Sequence, residues 1–112
     1  MTTDTVGAVG RVDGSSGVIE MHGQVNRTSE ASVNAAYIDA TVSEIDTLIL
    51  EFEDVEYINS TGIAVIVGVL ARARQNNVTV VARGLTDHYK HIFEITKLSD
   101  FMKIEDDQGG AE

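Results

Sequence analysis

Apolar and polar residues alternate early in the chain: Ile19, Met21, Gly23 and Val25 share one parity, while Glu20, His22 and Gln24 share the other. A period of two marks a strand with one buried face. Val18 to Val25 is therefore expected to form a half-buried strand, covered by helix on one side. Val9 to Val12 precedes it as a short strand candidate. Between them Asp13-Gly14-Ser15-Ser16-Gly17 is dense in turn residues and should return the chain as an opening hairpin.

The period then lengthens. From Thr28, Ala31, Ala35, Ile38, Val42 and Ile45 recur at spacings of three and four, with Ser29, Glu30, Asn34, Asp39 and Ser43 off that stripe, which predicts a first amphipathic helix. Leu48-Ile49-Leu50 with Phe52 predicts an interior strand, ended by a polar turn over Glu53 to Glu56. Val78 to Ala82 predicts another strand and Phe101 to Ile104 a short last one. Gly84 offers a turn, and Thr86 or Asp87 can cap a helix in which Tyr89, Ile92, Phe93 and Thr96 are helically spaced.

The run Ile63 to Ala71 is apolar nearly all round, so a buried strand competes with a helix there. The cap before it, its Ala and Leu content and the need for a crossover before Val78 favour helix. If Ile63, Ile66, Val67 and Leu70 face the sheet, Val65 and Val69 lie on the far side. Those valines are then either a docking patch or the contact surface for a neighbouring helix.

The resulting order, β-β-α-β-α-β-α-β, predicts an α/β fold: one domain with a mixed β-sheet covered by helices and right-handed crossovers between parallel strands. The folded unit is expected over residues 9–104. Residues 1–8 and 105–112, which are small, polar or acidic, have the composition of flexible termini.

Composition narrows the function. A chain of 112 residues supports one modest core, and without cysteine it has no disulfide, thiolate nucleophile or thiolate metal site, which fits a reducing, cytoplasmic setting. No stretch reads as a secretory leader or a membrane span. A net charge of −10 with eight scattered Lys and Arg residues opposes binding to nucleic acid or anionic membranes, and suits a protein partner with a basic rim.

Candidate chemistry centres on Asn59-Ser60-Thr61-Gly62-Ile63, where a strand gives way to a helix. Asn59 or Ser60 can cap the helix, and a phosphate on Ser60 would arrive where unpaired backbone N–H groups tolerate an anion. Gly62, lacking a side chain, would leave the backbone beside the hydroxyl open to a kinase or partner. Ser60 and Thr61 can equally be ordinary caps.

Other signals are weaker. His88 and His91 lie one helical turn apart without a clear third ligand, so no metal site is expected. His22 has no evident acid or nucleophile partner. Glu51, Glu53, Asp54 and Glu56 read as a solvated acidic rim, with no catalytic group assigned. The absence of a Gly-x-x-x-x-Gly-Lys loop excludes P-loop nucleotide binding, and no cofactor is expected.

With Ser60 at a strand-to-helix turn in Tyr57-Ile58-Asn59-Ser60-Thr61-Gly62-Ile63, the chain resembles the STAS domain of bacterial anti-sigma-factor antagonists. Gly23-Gln24-Val25-Asn26 looks like that family's Gly-Glu-Leu-Asp, and Phe93-Glu94-Ile95-Thr96-Lys97-Leu98 ahead of a short last strand also matches. The resemblance implies a STAS-like domain without enzymatic activity. It implies a partner, an ATP-binding anti-sigma serine kinase, that binds the unphosphorylated form and phosphorylates Ser60. The contact surface expected for that partner is Asn26, Asn59, Ser60, Thr61 and Gly62, joined by Val65 and Val69, which helix geometry and not the resemblance places on the outer side of the helix. Asn59 and Asn26 each replace an aspartate of the family's pattern, removing two carboxylates near the switch. The alternative within the resemblance is a constitutive STAS subunit of a transporter or stressosome-like assembly, with Ser60 acting only as a cap.

Overall fold

Five strands lie side by side in the order in which the chain makes them. The computed structural model describes residues 7–105. Strands β1 (Ala8–Asp13) and β2 (Ser16–Val25) form an antiparallel hairpin; β3 (Thr47–Ile58), β4 (Thr79–Arg83) and β5 (Lys103–Ile104) then add in parallel, giving the sheet β1-β2-β3-β4-β5. Helices α1 (Glu30–Ala40), α2 (Ser60–Gln75) and α3 (Asp87–Ile95) make the three crossovers. The expected order of elements is the observed one.

A sheet that always grows toward the same edge through right-handed crossovers receives all its helices on one face. Burial obeys that rule. Ile19, Met21, Leu48, Leu50, Phe52, Val80 and Ala82 are buried under the helices, while the alternating Glu20, His22, Ile49, Glu51, Val81 and Arg83 are only half-buried on the other face. Charges pair across that open face: Arg11 with Glu20, and Arg83 with both Glu51 (3.4 Å) and Glu105 (2.7 Å). Ion pairs this exposed contribute about 0–1 kcal/mol each, and chiefly keep the face wet.

Three expectations need correction. In α1 the buried residues are Val33, Ala36, Tyr37 and Ala40, whereas Ala31, Ala35 and Ile38 are turned away from the core and Val42 lies beyond the helix end. The hairpin sets that rotation. A Cβ on Gly10 would stand 1.9 Å from the Ala36 carbonyl oxygen, and one on Gly17 2.3 Å from that of Ala40, so the helix backbone rests directly on both strands. Glu53 to Glu56 is not a turn: β3 runs on to Ile58, with His22 opposite Asp54 and Val25 opposite Ile58, through two register shifts. Bulges of this kind absorb extra residues and re-aim side chains, which leaves Glu53, Asp54, Glu56 and Tyr57 all exposed.

The ordered unit also extends past the expected ends. The Gly7 carbonyl accepts the His22 N–H at 2.9 Å, Ala8 is buried in β1, and the Glu105 N–H donates to the Ala82 carbonyl at 2.8 Å. The remaining terminal residues, 1–6 and 106–112, lie outside the described residues.

Candidate functional site

At the end of β3 the chain turns sharply into α2, and Asn59 makes the turn. Its backbone is extended (φ −95°, ψ −176°), and its Oδ1 accepts the Gly62 N–H and the Thr61 hydroxyl, each at 2.8 Å. The Ile63 N–H then starts the helical ladder by donating to the Asn59 carbonyl at 2.9 Å. With its side-chain oxygen occupied, Asn59 is the cap and Ser60 is free of that duty. Ser60 is exposed as the first residue of α2, and among the described residues no hydrogen bond involves its hydroxyl.

Gly62 fixes where this turn sits. A Cβ there would stand 2.0 Å from the Val25 carbonyl oxygen and 3.2 Å from the Asn26 nitrogen. The first turn of α2 is thus pressed against the end of β2, and Gly62 is buried instead of leaving its backbone open to a partner as expected. The same approach brings Asn26 beside the Ser60 turn. Asn26 has its own task, since its Oδ1 accepts the Thr28 N–H at 2.9 Å and its N–H donates to Ser29 Oγ at 3.0 Å. Ser29, itself buried, donates in turn to the Gln24 carbonyl at 3.2 Å. This network opens the 3-10 turn Arg27–Ser29 that leads into α1.

Tyr89 of α3 is a positioning residue that the sequence pattern marks only as one of the helically spaced residues of that helix. Its hydroxyl oxygen accepts the Ile58 N–H at 2.9 Å, immediately before the cap. A buried tyrosine hydroxyl requires a polar partner, and here the partner is a β3 backbone group at the level where β4 has already ended.

The rotation of α2 differs from that expected. Gly62, Ile66, Val69 and Ala73 form the buried stripe together with Leu70; Val69 is 2% exposed and Val65 is half-buried against the core. Val69 therefore cannot meet a partner, because it is part of the packing under the sheet. The exposed stripe runs instead through Ser60, Ala64, Val67, Ala71 and Arg74, at alternating spacings of four and three. Val67 is 43% exposed. Ser60 thus heads a mostly apolar helix face, built from residues other than the two valines expected there.

Among the described residues no group of three or more His, Cys, Asp and Glu side chains could hold a metal ion. His88 and His91 are exposed, His88 with its ring edge-on to Tyr89. His22 Nδ1 lies 3.6 Å from Asp54 on the open face. Among the described residues no helix is long and apolar enough to cross a membrane.

The chain is 33% identical over 87 residues to the anti-sigma-B factor antagonist of Listeria monocytogenes, covering 78% of this chain and 76% of that protein. Its fold superposes on the anti-sigma factor antagonist SpoIIAA in the unphosphorylated form (TM-score 0.68, 15% identity, 88% of this chain and 87% of that one). It also superposes on the phosphorylated form of the Bacillus cell fate determinant SpoIIAA (TM-score 0.62, 15% identity, 87% and 88%). The model of the STAS domain matches residues 8–111, nearly the whole chain, and this protein belongs to the STAS domain family.

Proposed function

We propose that this protein is an anti-sigma-factor antagonist, which docks an ATP-binding anti-sigma serine kinase and is released when the kinase phosphorylates Ser60. The observation that carries the reading is the exposed Ser60 hydroxyl, spared from capping by Asn59, at the head of an exposed apolar helix face. The Listeria relative bears the antagonist's name over three-quarters of both chains, and SpoIIAA is a protein of this fold with a phosphorylated form. The protein itself catalyses nothing in this scheme. It acts in the cytoplasm, where the kinase finds its ATP.

The docking surface is then Ser60 and Thr61, the adjoining Asn26 turn, and Ala64 and Val67 below them. Phosphoryl transfer would join Ser60 Oγ to the γ-phosphorus of ATP and release ADP, the hydroxyl proton passing to a base on the kinase. The new group brings nearly two negative charges and three acceptor oxygens. The first N–H groups of α2 tolerate them, so the fold persists. The partner's apolar and acceptor groups facing Ser60 would meet a charge that must be desolvated, and the contact fails. Asn59 favours modification in an unexpected way: with no carboxylate at the cap, the phosphate meets no fixed negative charge from that side chain.

Intact-mass spectrometry of the protein isolated from its host, in growth and under stress, tests the proposal. The expected result is a single phosphate, located on Ser60 by fragmentation, whose occupancy changes with condition. The Ser60→Asp protein should bind the kinase more weakly than wild type. A chain that stays partner-bound and unmodified in every condition would instead be a constitutive STAS subunit of a larger assembly.

A further inference from the structure

Two stretches of chain without a carboxylate meet at the Ser60 turn. The Asn59 N–H donates to the Val25 carbonyl at 3.2 Å, and Gly62 is pressed against the same carbonyl and the Asn26 nitrogen. The peptide between Val25 and Asn26 is thus wrapped by residues 59–62, and the 3-10 turn Arg27–Ser29 that follows it packs against α2. In a chain with 18 acidic residues, neither 25–29 nor 59–63 contains one. The flanking carboxylates, Glu30 and Glu56, are exposed, and among the described residues neither makes an ion pair.

Arg27 stands in the first of these stretches. It is exposed, and among the described residues its guanidinium has no ion pair, hydrogen bond or ring contact. The other cations are engaged or distant. Arg11 and Arg83 hold carboxylates on the open face, Lys90 lies by Asp87, and Arg72 and Arg74 rest on the rings of Tyr37 and Phe101. Lys97 precedes β5 and Lys103 opens it, at the end of the sheet where the parallel strands begin. Arg27 and Ser60 both follow strand ends at the opposite end, where Val25 pairs with Ile58.

We propose that Arg27 holds the phosphate that Ser60 receives. A guanidinium is a planar fork of donors that takes a phosphate through two parallel N–H···O bonds. Arg27 and Ser60 flank one peptide, within the combined span of an extended arginine side chain and a phosphoserine, and no carboxylate in either stretch competes for the guanidinium or repels the phosphate. This pairing presupposes the phosphorylation proposed above and states what the phosphate does to the surface. Before modification the turn offers a partner an uncharged hydroxyl beside a free cation. Afterwards the cation is drawn onto the phosphate and the same surface is net negative. Contact is then lost on two counts: the group that faced Ser60 meets a charge, and an acidic group that faced Arg27 loses its counterpart.

Phosphoserine incorporated at position 60 during translation, through a reassigned stop codon, gives the phosphorylated full chain without any kinase. Phosphorus NMR then follows the second ionisation of the phosphate, whose pKa is ordinarily about 6. A nearby opposite charge favours the dianion, so that pKa should be lower by about half a unit or more with Arg27 present than in Arg27→Gln. Arg27→Lys, which keeps the charge but not the fork, should keep part of the shift. Arg74 lies fourteen residues along α2 from Ser60, about 21 Å along the helix axis. Arg74→Gln should therefore leave the value unchanged, and circular dichroism checks that each variant stays folded. Equal values with and without the Arg27 guanidinium overturn the pairing. So does an equally large change in Arg74→Gln, which would report only the overall field of the protein. The proposed function fails separately: a host protein never phosphorylated on Ser60 would remove the kinase and leave the titration result as it stands.

Discussion

Gly62 and the carbonyl of Val25 are packed so closely that a single methyl group on the glycine would lie 2.0 Å from the carbonyl oxygen. That contact seats the first turn of α2 on the end of β2, and the neighbour is backbone, which cannot rotate away. Gly62→Ala is expected to destabilise the protein by about 1–3 kcal/mol, as overpacking commonly does. Urea unfolding monitored by circular dichroism should show a lower midpoint. A midpoint equal to wild type would mean that the turn is not held where the structure puts it.

Asn59 serves the fold through its side-chain oxygen alone. Asn59→Ala should cost about 1 kcal/mol, because the Gly62 N–H and the Thr61 hydroxyl both lose their acceptor. Asn59→Asp keeps the acceptor and places a negative charge at the positive end of the helix, so it should match or exceed wild-type stability. Thermal unfolding of the three proteins ranks them; an Ala variant as stable as the Asp variant would contradict the cap.

Tyr89 ties α3 to the strand that leads into the switch. In Tyr89→Phe the ring remains, but the Ile58 N–H loses its partner in a buried position, which should cost about 1–3 kcal/mol. Hydrogen exchange offers a local readout. The Ile58 amide should exchange faster in the variant even under conditions where amides at the centre of β3 remain protected.

Two valines two positions apart on α2 should behave oppositely. Val67 is exposed, so Val67→Asp should leave stability within about 0.5 kcal/mol of wild type. Val69 is buried, and Val69→Asp would place a carboxylate without a partner in the core and unfold the protein. Soluble expression and circular dichroism of the pair decide the rotation of the helix; a folded Val69→Asp protein would restore the outward placement expected from the sequence.

That rotation shows where the sequence runs out. Helix α2 is apolar nearly all round, so spacing identifies a helix without saying which side is inward; Gly62 decides it by fitting only against Val25. The same holds for α1, in which Ala31, Ala35 and Ile38 are as well spaced as Val33, Ala36 and Ala40. What selects the second set is the hairpin, whose Gly10 and Gly17 receive the Ala36 and Ala40 carbonyls. The far half of β3 was hidden for another reason. Carboxylates are depleted in strands, but this half pairs on one side only, with His22 to Val25, and its carboxylates stay in water. The Asn59 cap was legible because capping is local, whereas the bond from Tyr89 to Ile58 spans 31 positions and leaves no local signature.

Because the sheet's spatial order is the chain's own order, the protein can be assembled in the direction of its synthesis. Each strand after the first finds its neighbour already made, and none must wedge between two existing strands. The bed for the Ser60 turn, the end of β2 at Val25 and Asn26, exists before α2 emerges. Tyr89 arrives only later, with α3. The turn is therefore shaped by a strand made before it and locked by a helix made after it, so a chain interrupted between β4 and α3 would own a Ser60 turn without its latch.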